Sequence, residues 1–269
     1  MNHPEHRACP LCEGPPGGVV FPYGTVFRGE NFRYMRCSDC STVFLDPLPS
    51  GELFVAMYGK AEYHDIHYNS VCDGVYQASV AFMRDHVPPG SLVLDYGCGT
   101  GGFMRASTQA GFRTIGVDLD PEVARAAGES AGTSWYSTAE FDASCAGQRF
   151  DMIHLGDVLE HLPSPFETLS QLAQRVAVGG ALFVEGPLEI NPSPVYYAAR
   201  MLGRVKRLLH PGDLARHPPT HLFLTDAASQ RRFFDRLEPA FRTTAWRVND
   251  SGWPYAAGGR VKRCIAKLA

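Results

Sequence analysis

The chain has 269 residues, of which 45% are hydrophobic and 20% are charged, and this balance predicts a folded protein rather than a disordered one. Its formal net charge of −3 gives no general attraction to nucleic acid or to an anionic membrane. The first residues lack the apolar core of a signal peptide. No apolar run is close to the length of about 20 residues that is needed to span a bilayer. We therefore expect a cytoplasmic protein with one medium-sized domain and a small additional module.

Four cysteines near the N terminus form two C-x2-C pairs, Cys9 with Cys12 and Cys37 with Cys40. Two such pairs supply four thiolates to a tetrahedral Zn²⁺, and four protein ligands leave no open position for catalysis. Two disulfides or a redox pair are the alternatives, which a reducing compartment disfavours. Stretches 34–36 and 42–45 flank the second pair as predicted strands, so residues 1–48 resemble a zinc ribbon with a structural Zn²⁺.

A proline-rich connector at 46–51 is followed by residues 52–86, which we predict to be helical. Residues 49–89 therefore form a helical connector, or a lid, between the cysteine module and the rest of the chain. The segment at 58–68 within it is rich in tyrosine and histidine.

The most informative motif begins with the apolar run Ser91–Leu94, which predicts a buried parallel strand. A helix from about Phe103 to Ala110 would present its free amide groups to a ligand. A second strand begins at Thr114 and ends at Asp118, where a carboxylate can accept hydrogen bonds from ribose hydroxyls. Glycines that permit a sharp turn lie between the first strand and the helix, at Gly97, Gly99 and Gly101. The pattern predicts a nucleotide-binding site.

The glycine spacing alone does not identify the nucleotide, because Gly97, Gly99 and Gly102 also satisfy the G-x-G-x-x-G pattern of NAD-binding proteins. Asp95 distinguishes the ligands, since a carboxylate at the end of the first strand repels a pyrophosphate and attracts a cation. S-adenosylmethionine carries an ammonium and a sulfonium group and no phosphate. An acidic loop therefore suits it better.

At these residues the chain resembles the class I S-adenosylmethionine-dependent methyltransferases. Their first motif is matched by LDYGCGTG at 94–101, their second by GVDLDP at 116–121 and their third by FDMIHLGDVLEHL at 150–162. The resemblance covers about residues 90–190. It implies an α/β fold with a Rossmann-like seven-stranded methyltransferase sheet and helices on both faces, formed by residues 90–269.

The resemblance also implies the roles of the cofactor-binding residues. Asp95 and the backbone around Gly97 would hold the methionine end of S-adenosylmethionine, and Asp118 the ribose. Leu119 would pack on the adenine, and the segment 136–140 would contact the adenine edge. The fourth strand would end beside the donor methyl group. The implied cofactor site comprises Asp95, Gly97, Gly99, Gly101, Asp118, Leu119, Thr138, Leu155 and Gly156.

Methyl transfer by in-line displacement requires alignment, and a base only where the acceptor must lose a proton. His161, in the VLEHL segment, is our best candidate for that base, and Glu160 beside it is a candidate substrate contact. The alternative is that both only hydrogen-bond within the fold. Relatives carry a similar His-Leu-Phe segment before a late helix, which makes His221 a second catalytic candidate. A zinc site at His217 and His221 is disfavoured because no third ligand is apparent.

In small-molecule methyltransferases, segments like the one at 58–68 fold over the cofactor. The resemblance therefore implies that Tyr63, His64 and Tyr68 contact substrate or cofactor. Surface or interdomain packing is the alternative role for these three side chains.

Capping signals predict the remaining helices. Ser164 and Glu167 match a capping box for a helix that ends at Val176, and the cap at Asp226 predicts a helix that ends at Leu237. Residues 241–248 and 260–268 are the last two predicted strands.

Ser193–Pro194 opens a predicted amphipathic helix that ends at about Leu209. This helix belongs to a substrate-side insertion at about 188–222. We expect a solvated charged face; a cover over an anionic acceptor and contact with a membrane surface are the alternatives. Val195, Ala198, Leu202, Val205 and Leu209 share the apolar face, and Arg200, Arg204 and Arg207 lie opposite.

These features predict an S-adenosylmethionine-dependent methyltransferase for a small-molecule acceptor such as a sugar, a nucleotide-sugar or a secondary metabolite, with transfer to oxygen or carbon. One alternative is a ribosomal-RNA guanine methyltransferase, since some of these also begin with a zinc ribbon. Another is a non-catalytic protein that keeps the cofactor fold as a scaffold. The expected partner is a small molecule, without nucleic acid or stable membrane association.

Overall fold

The computed structural model describes residues 6–58, 73–190, 193–210, 218–219, 221–237, 241–249 and 260–268. Its N-terminal part is a small antiparallel sheet of strands β1 (Pro16–Phe27), β2 (Glu30–Cys37) and β3 (Val43–Asp46). A two-residue strand from much later in the chain, β9 (Phe223–Leu224), completes this sheet by pairing with β3. The predicted strands on both sides of the second cysteine pair are confirmed.

The larger sheet has seven strands in the order β10-β11-β8-β7-β4-β5-β6. Only β11 runs against its neighbours. The strand order reverses between β4 and β7, which opens a crevice at their carboxyl ends where ligands of open α/β sheets bind. The strands are β4 (Leu92–Tyr96), β5 (Arg113–Asp118), β6 (Ser134–Ser137), β7 (Phe150–Gly156), β8 (Val176–Gly186), β10 (Phe241–Asn249) and β11 (Arg260–Leu268). This is the predicted seven-stranded sheet.

Eight described helices accompany the two sheets. They are α1 (Gly51–Tyr58), α2 (Asp73–Arg84), α3 (Gly102–Gln109), α4 (Pro121–Ala131), α5 (Thr138–Ser144), α6 (Pro165–Ala173), α7 (Pro194–Leu209) and α8 (Ala227–Asp235), with a 3-10 turn at Leu159–His161. Among the described residues, none of these helices is long and apolar enough to cross a membrane.

Both faces of the large sheet are covered, as its nearly continuous apolar strands require. Val93 of β4 packs into a cluster that includes Met83 of α2 and Phe103 of α3. Its neighbour Leu94 packs into a separate cluster that includes Leu169 of α6 and Phe233 of α8. Because successive strand residues point to opposite faces, the two clusters lie on opposite sides of the sheet.

The helix ends follow the predictions in part. Asp120 caps α4 as expected, accepting hydrogen bonds from the backbone amides of residues 122 and 123. The capping box predicted at Ser164 is wrong, because the Ser164 side chain makes no cap bond. Helix α6 also ends earlier than expected, since Val176 pairs with Phe150 in the sheet instead. Helix α8 ends two residues before the predicted position.

Helix α7 agrees with the expected solvated charged face only in part, because Arg204 is exposed whereas Arg200 and Arg207 are half-buried. The helix contacts β1, and its half-buried residues include Tyr196, Arg200 and Arg207. The predicted apolar face is turned outward, with Leu202 and Leu209 each 70% exposed. The neighbouring part of β1 contributes Gly17, Gly18, Val19 and Val20 to the space beside Arg200 and Arg204.

Candidate active site

The glycine-rich loop after β4 is fixed to the end of β5. The amides of Gly97 and Cys98 donate to the carbonyl of Val117 at 2.7 and 2.9 Å. Gly97 has φ +80°, and a Cβ at this position would lie 2.4 Å from the side chain of Val158. Only glycine meets both requirements, so the loop can pass close beneath the crevice.

Asp118, at the end of β5, is buried and holds this loop as well. Its Oδ2 accepts a hydrogen bond from the Gly99 amide at 2.9 Å, and its Oδ1 accepts one from the Asp120 amide at 3.2 Å. Leu119, the next residue, is 36% exposed, which leaves an apolar side chain at the surface of the crevice. The structure thus brings together the first two sequence motifs.

The segment 136–140 is not a loop. It ends β6 and begins α5, where Ser137 and Glu140 form a capping box. The predicted contact Thr138 is the first residue of that helix and is half-buried.

The predicted contacts at the end of β7 are backbone positions. The Leu155 side chain is fully buried in the core, so only its main chain can reach the crevice. Gly156 follows it, and a Cβ there would lie 2.8 Å from the ring of His154.

Asp95 is one end of a buried chain of three ionisable side chains that crosses three strands. The Nδ1 of His154 on β7 lies 2.7 Å from Asp95 Oδ1, and its Nε2 lies 3.2 Å from Glu185 Oε1 on β8. The His154 ring stacks on Phe103, with ring centroids 3.6 Å apart. Burial lowers the pKa of His154, but the hydrogen bonds and charges of Asp95 and Glu185 outweigh it and raise this pKa to about 9. Both ring nitrogens therefore carry protons near neutral pH and donate to the carboxylates.

Asp95 keeps one oxygen for another partner. Its Oδ2 is buried and has no hydrogen-bond partner among the described residues. A buried carboxylate oxygen left in this state is costly unless a ligand binds it.

Tyr76 of α2 closes this part of the site, and the sequence analysis missed it. A Cβ at Gly102 would lie 2.2 Å from the Tyr76 ring, so glycine there makes room for the aromatic side chain. Burial, with the negative charges of Asp95 and Asp157, raises the pKa of the Tyr76 phenol to about 12. It is therefore a neutral hydroxyl beside the acidic end of the crevice.

Glu160, His161 and His221 meet at a second polar cluster. Each places one nitrogen or carboxylate oxygen within 4.8 Å of the others, and the two imidazole rings are 4.9 Å apart in an edge-on arrangement. Glu160 and His161 come from the turn after β7, and His221 lies two residues before the first residue of β9. The structure thus supplies His221 with the nearby ionisable groups that the sequence did not reveal.

Further side chains orient both histidines. The Nδ1 of His161 lies 3.2 Å from the hydroxyl of Tyr58, the last residue of α1. The Nδ1 of His221 lies 2.7 Å from Glu189 Oε1. Burial lowers the pKa of His221, but the hydrogen bond of Glu189 and the charges of Glu160, Glu189 and Asp157 raise it overall. His221 is therefore a stronger base than an ordinary histidine.

The small sheet is connected directly to this cluster. The Leu222 amide donates to the carbonyl of Glu160, and the Leu222 carbonyl accepts from the amide of Leu45 on β3, both at 2.8 Å. The Tyr34 hydroxyl on β2 donates to the carbonyl of His221 at 2.8 Å. Two strands of the cysteine module thus hold the backbone at His221 and Leu222.

The four N-terminal cysteines lie together at the end of the small sheet. All four sulfurs are within 4.8 Å of one another and form no disulfide, with Cys9 to Cys40 at 3.6 Å and Cys12 to Cys37 at 3.4 Å. Thiolates bound to one Zn²⁺ at about 2.3 Å in tetrahedral geometry lie at nearly this spacing. The donor set therefore fits the ion.

Several predicted contacts cannot be placed. Tyr63, His64 and Tyr68 lie outside the described residues, as does His217.

The sequence analysis also missed His154, Glu185, Glu189 and Tyr58. His154 and Glu185 interrupt otherwise apolar strands, which is a usable signal for a buried polar group. Glu189 carries no such signal, because it is far in sequence from His221. Tyr58 begins the tyrosine- and histidine-rich segment at 58–68, but the sequence does not show its contact with His161, which lies 103 residues later.

Comparisons with known proteins identify the family. A family model described as a methyltransferase domain matches residues 67–237. The ubiquinone biosynthesis O-methyltransferase of Xanthomonas campestris pv. campestris is 31% identical over 132 residues, which cover 46% of this chain and 54% of that protein. The protein of the same name from Aromatoleum aromaticum is 37% identical over 101 residues, or 35% of this chain and 43% of its own length. The chain spans about half the length of the curated relatives it matches.

Solved structures of low identity share the fold. The magnesium protoporphyrin IX methyltransferase of Synechocystis PCC 6803, with bound S-adenosylhomocysteine, has a TM-score of 0.59 at 17% identity, covering 82% of this chain and 100% of that one. The N-methyltransferase NodS of Bradyrhizobium japonicum WM9 has a TM-score of 0.53 at 14% identity, covering 77% and 93%. Because the family model matches more than half of the chain, the protein belongs to this methyltransferase domain family.

Proposed function

We propose that the protein is an S-adenosylmethionine-dependent methyltransferase that methylates an oxygen of a small-molecule acceptor. The observation that supports S-adenosylmethionine as the cofactor is the buried Oδ2 of Asp95, beside the glycine loop. This oxygen has no hydrogen-bond partner among the described residues. An ammonium group fits there, because it supplies the charge and the hydrogen-bond donor that this oxygen lacks. When bound, S-adenosylmethionine supplies the electrophilic methyl group.

The protein's own groups would bind and orient the cofactor. Protonated His154 holds the other oxygen of Asp95 and fixes the carboxylate in place. Asp118 stands at the end of the adjacent strand, in the position from which a carboxylate binds ribose hydroxyls. Leu119 offers an apolar side chain to the adenine face. The backbone of the loop at Gly97, Gly99 and Gly101 makes the close approach possible.

The Glu189–His221 pair supports an acceptor that must lose a proton. A histidine that donates one ring N–H to a carboxylate presents the other nitrogen as a base of raised pKa. Hydroxyl acceptors need such a base when the methyl group is transferred. We assign His221 as the base, oriented by Glu189, and His161 and Glu160 as contacts to the acceptor.

The relatives support an oxygen acceptor. The two curated proteins above, which match 46% and 35% of this chain, are named as ubiquinone biosynthesis O-methyltransferases. Together with the histidine–carboxylate pair, this favours oxygen over the carbon that the sequence analysis left open.

We further propose that Cys9, Cys12, Cys37 and Cys40 bind one structural Zn²⁺. Their spacing fits the ion, and four protein ligands would close its coordination sphere. The ion would make the small sheet rigid, and this sheet holds the backbone around His221. The module at 1–48, the connector at 49–89 and the catalytic domain at 90–269 would then act as one unit.

The direct test is transfer of a labelled methyl group from S-adenosylmethionine to a panel of hydroxylated small molecules. We expect product from the wild type and at least a tenfold lower rate from His221→Ala, with unchanged affinity for S-adenosylhomocysteine. A variant with full activity would remove His221 as the base. A wild type that binds the cofactor but methylates no acceptor, even with Zn²⁺ bound, would favour a non-catalytic scaffold.

A further inference from the structure

Two adjoining cavities lie between the cysteine module and α7. Their volumes are about 440 and 580 Å³, and both are lined by Arg36, Arg200 and Arg204. Arg36 comes from β2, while the other two arginines lie one turn apart on α7. Two separate parts of the chain therefore direct positive charge into one space.

No aspartate or glutamate lines either cavity among the residues that the structure describes. A guanidinium nitrogen of Arg36 donates to the carbonyl of Ser41 at 3.2 Å, and this acceptor is neutral. Three arginines that share a cavity repel one another, and an anion bound between them relieves that repulsion.

The rest of the lining suits a small anionic molecule. Gly17, Gly18 and Ser38 line the smaller cavity and offer little steric obstruction. Tyr196 and Tyr197 line the larger one, where an aromatic ring can stack against a sugar or a base. Guanidinium groups bind phosphate in a bidentate manner, so a phosphate or diphosphate is the anion that this set recognises best.

The position of the cavities connects them to the proposed methyl-transfer site. Ile190 lines the larger cavity and directly follows Glu189, whose carboxylate contacts His221. On the other side, Arg36 lies two residues after Tyr34, whose hydroxyl contacts the carbonyl of His221. A molecule with its phosphate at the arginines can thus extend toward the histidines.

We propose that Arg36, Arg200 and Arg204 form a phosphate-binding subsite for an acceptor that carries a phosphate or diphosphate group. This inference rests on the proposed function, because it assigns the substrate class of the same site. We favour a small molecule over a membrane surface, because the three arginines come from two elements and line one space together with Tyr196 and Tyr197.

Titration calorimetry with the full-length, zinc-loaded protein tests the subsite. The probes are inorganic pyrophosphate and uridine diphosphate, each in the presence of S-adenosylhomocysteine, and sedimentation with phosphatidylglycerol vesicles is a parallel assay. The variants are Arg204→Gln, whose side chain is exposed and safe to change, and Arg200→Gln. Arg113→Gln is the matched control, since Arg113 is exposed on β5 outside both cavities.

We expect at least one soluble probe to bind the wild type and the Arg113→Gln control equally. Each cavity variant should weaken that binding about tenfold, which is the usual loss for one charge-assisted hydrogen bond. The inference is overturned if neither soluble probe binds, if the cavity variants bind as well as the control, or if only vesicles bind. The affinity for S-adenosylhomocysteine, measured on the same samples, distinguishes failure of the subsite from failure of the proposed function. A wild type that does not bind S-adenosylhomocysteine would contradict the proposed function. A wild type that binds S-adenosylhomocysteine but neither soluble probe would contradict the subsite alone.

Discussion

His154 and Asp95 form a buried hydrogen bond of 2.7 Å between neighbouring strands of the large sheet. The bond joins the third sequence motif to the first, and the second oxygen of Asp95 is buried without a hydrogen-bond partner among the described residues. Because His154 also donates to Glu185, one imidazolium compensates two carboxylates inside the protein. The carboxylate that we propose to bind the cofactor is therefore held in place by the protein itself.

The raised pKa of His154 predicts a pH-dependent stability. A free histidine loses its proton near its ordinary pKa of 6.5, whereas His154 in the folded protein keeps it up to about 9. This interaction stabilises the fold fully below about pH 6.5 and is lost as the pH rises through about 9. We expect Tm of the wild type to fall by roughly 5 °C more over this range than Tm of His154→Gln. Equal slopes for the two proteins, measured by calorimetric scans, would contradict the charged state of His154.

The Glu189–His221 pair predicts the acid limb of the pH–rate profile. A base works only when deprotonated, so kcat/KM should rise with pH through a pKa above the ordinary 6.5 of histidine. The variant Glu189→Gln lacks the carboxylate that raises this pKa, so the acid limb of its pH–rate profile should move to lower pH. Its maximal rate should fall about tenfold. Glu122→Gln, at an exposed position of α4, is the control. A limb that stays in place in Glu189→Gln would show that this carboxylate does not tune the base.

Removal of one cysteine tests the metal site and its link to the cluster. The wild type should contain one Zn²⁺ per chain by elemental analysis, and Cys40→Ser should lose it and unfold at lower temperature. Methyl transfer should fall further than affinity for S-adenosylhomocysteine, because β3 and β2 hold the backbone around His221.

Cys145→Ser is the control for this change, since Cys145 is buried but lies outside the cluster of four. It should keep the metal. A wild type purified under zinc-replete conditions without the ion, or a Cys40→Ser protein that retains it, would argue against the site.

Gly97→Ala should disrupt the glycine loop for two reasons. Its positive φ costs a non-glycine residue about 1–2 kcal/mol, and the new Cβ would lie 2.4 Å from the side chain of Val158. Gly132→Ala separates the two effects, because Gly132 has φ +65° but open space around its Cα. Urea unfolding should show a larger loss of stability for Gly97→Ala, which should also bind S-adenosylhomocysteine more weakly. Equal losses of stability would mean that the contact with Val158 is unimportant.

The sequence predicts the cofactor half of the molecule well, because its chemistry is local. Asp95, Asp118 and the glycines follow the ends of apolar strands, and parallel strands bring their carboxyl ends to one edge. The cysteine pairs are equally local, since each C-x2-C places two ligands within one turn. The seven-stranded sheet follows from the resemblance to the class I methyltransferases. The sequence predicts the last two strands, but the reversed direction of β11 is visible only in the structure.

The proposed acceptor site depends on contacts between residues that are far apart in the sequence, and these contacts are not evident from the sequence. His221 meets Glu160 and His161 only because β9 joins the small sheet, and Glu189 is oriented by the turn after β8. Helix α7 shows a second limit. Its amphipathic period is correct, but periodicity does not tell which face meets the protein. Here Arg200 and Arg204 line the cavities beside the small sheet, while Leu202 and Leu209 are exposed.

Calorimetric titration of S-adenosylhomocysteine tests the central claim most directly. The wild type should bind the ligand at one site per chain. Asp95→Ala should lower the affinity about tenfold or more, because it removes the carboxylate that receives the ammonium group. Asp118→Ala should do the same while the protein stays folded, as judged by its circular dichroism. A wild type without affinity for the ligand, or folded variants with unchanged affinity, would contradict the assignment of this crevice as a cofactor site.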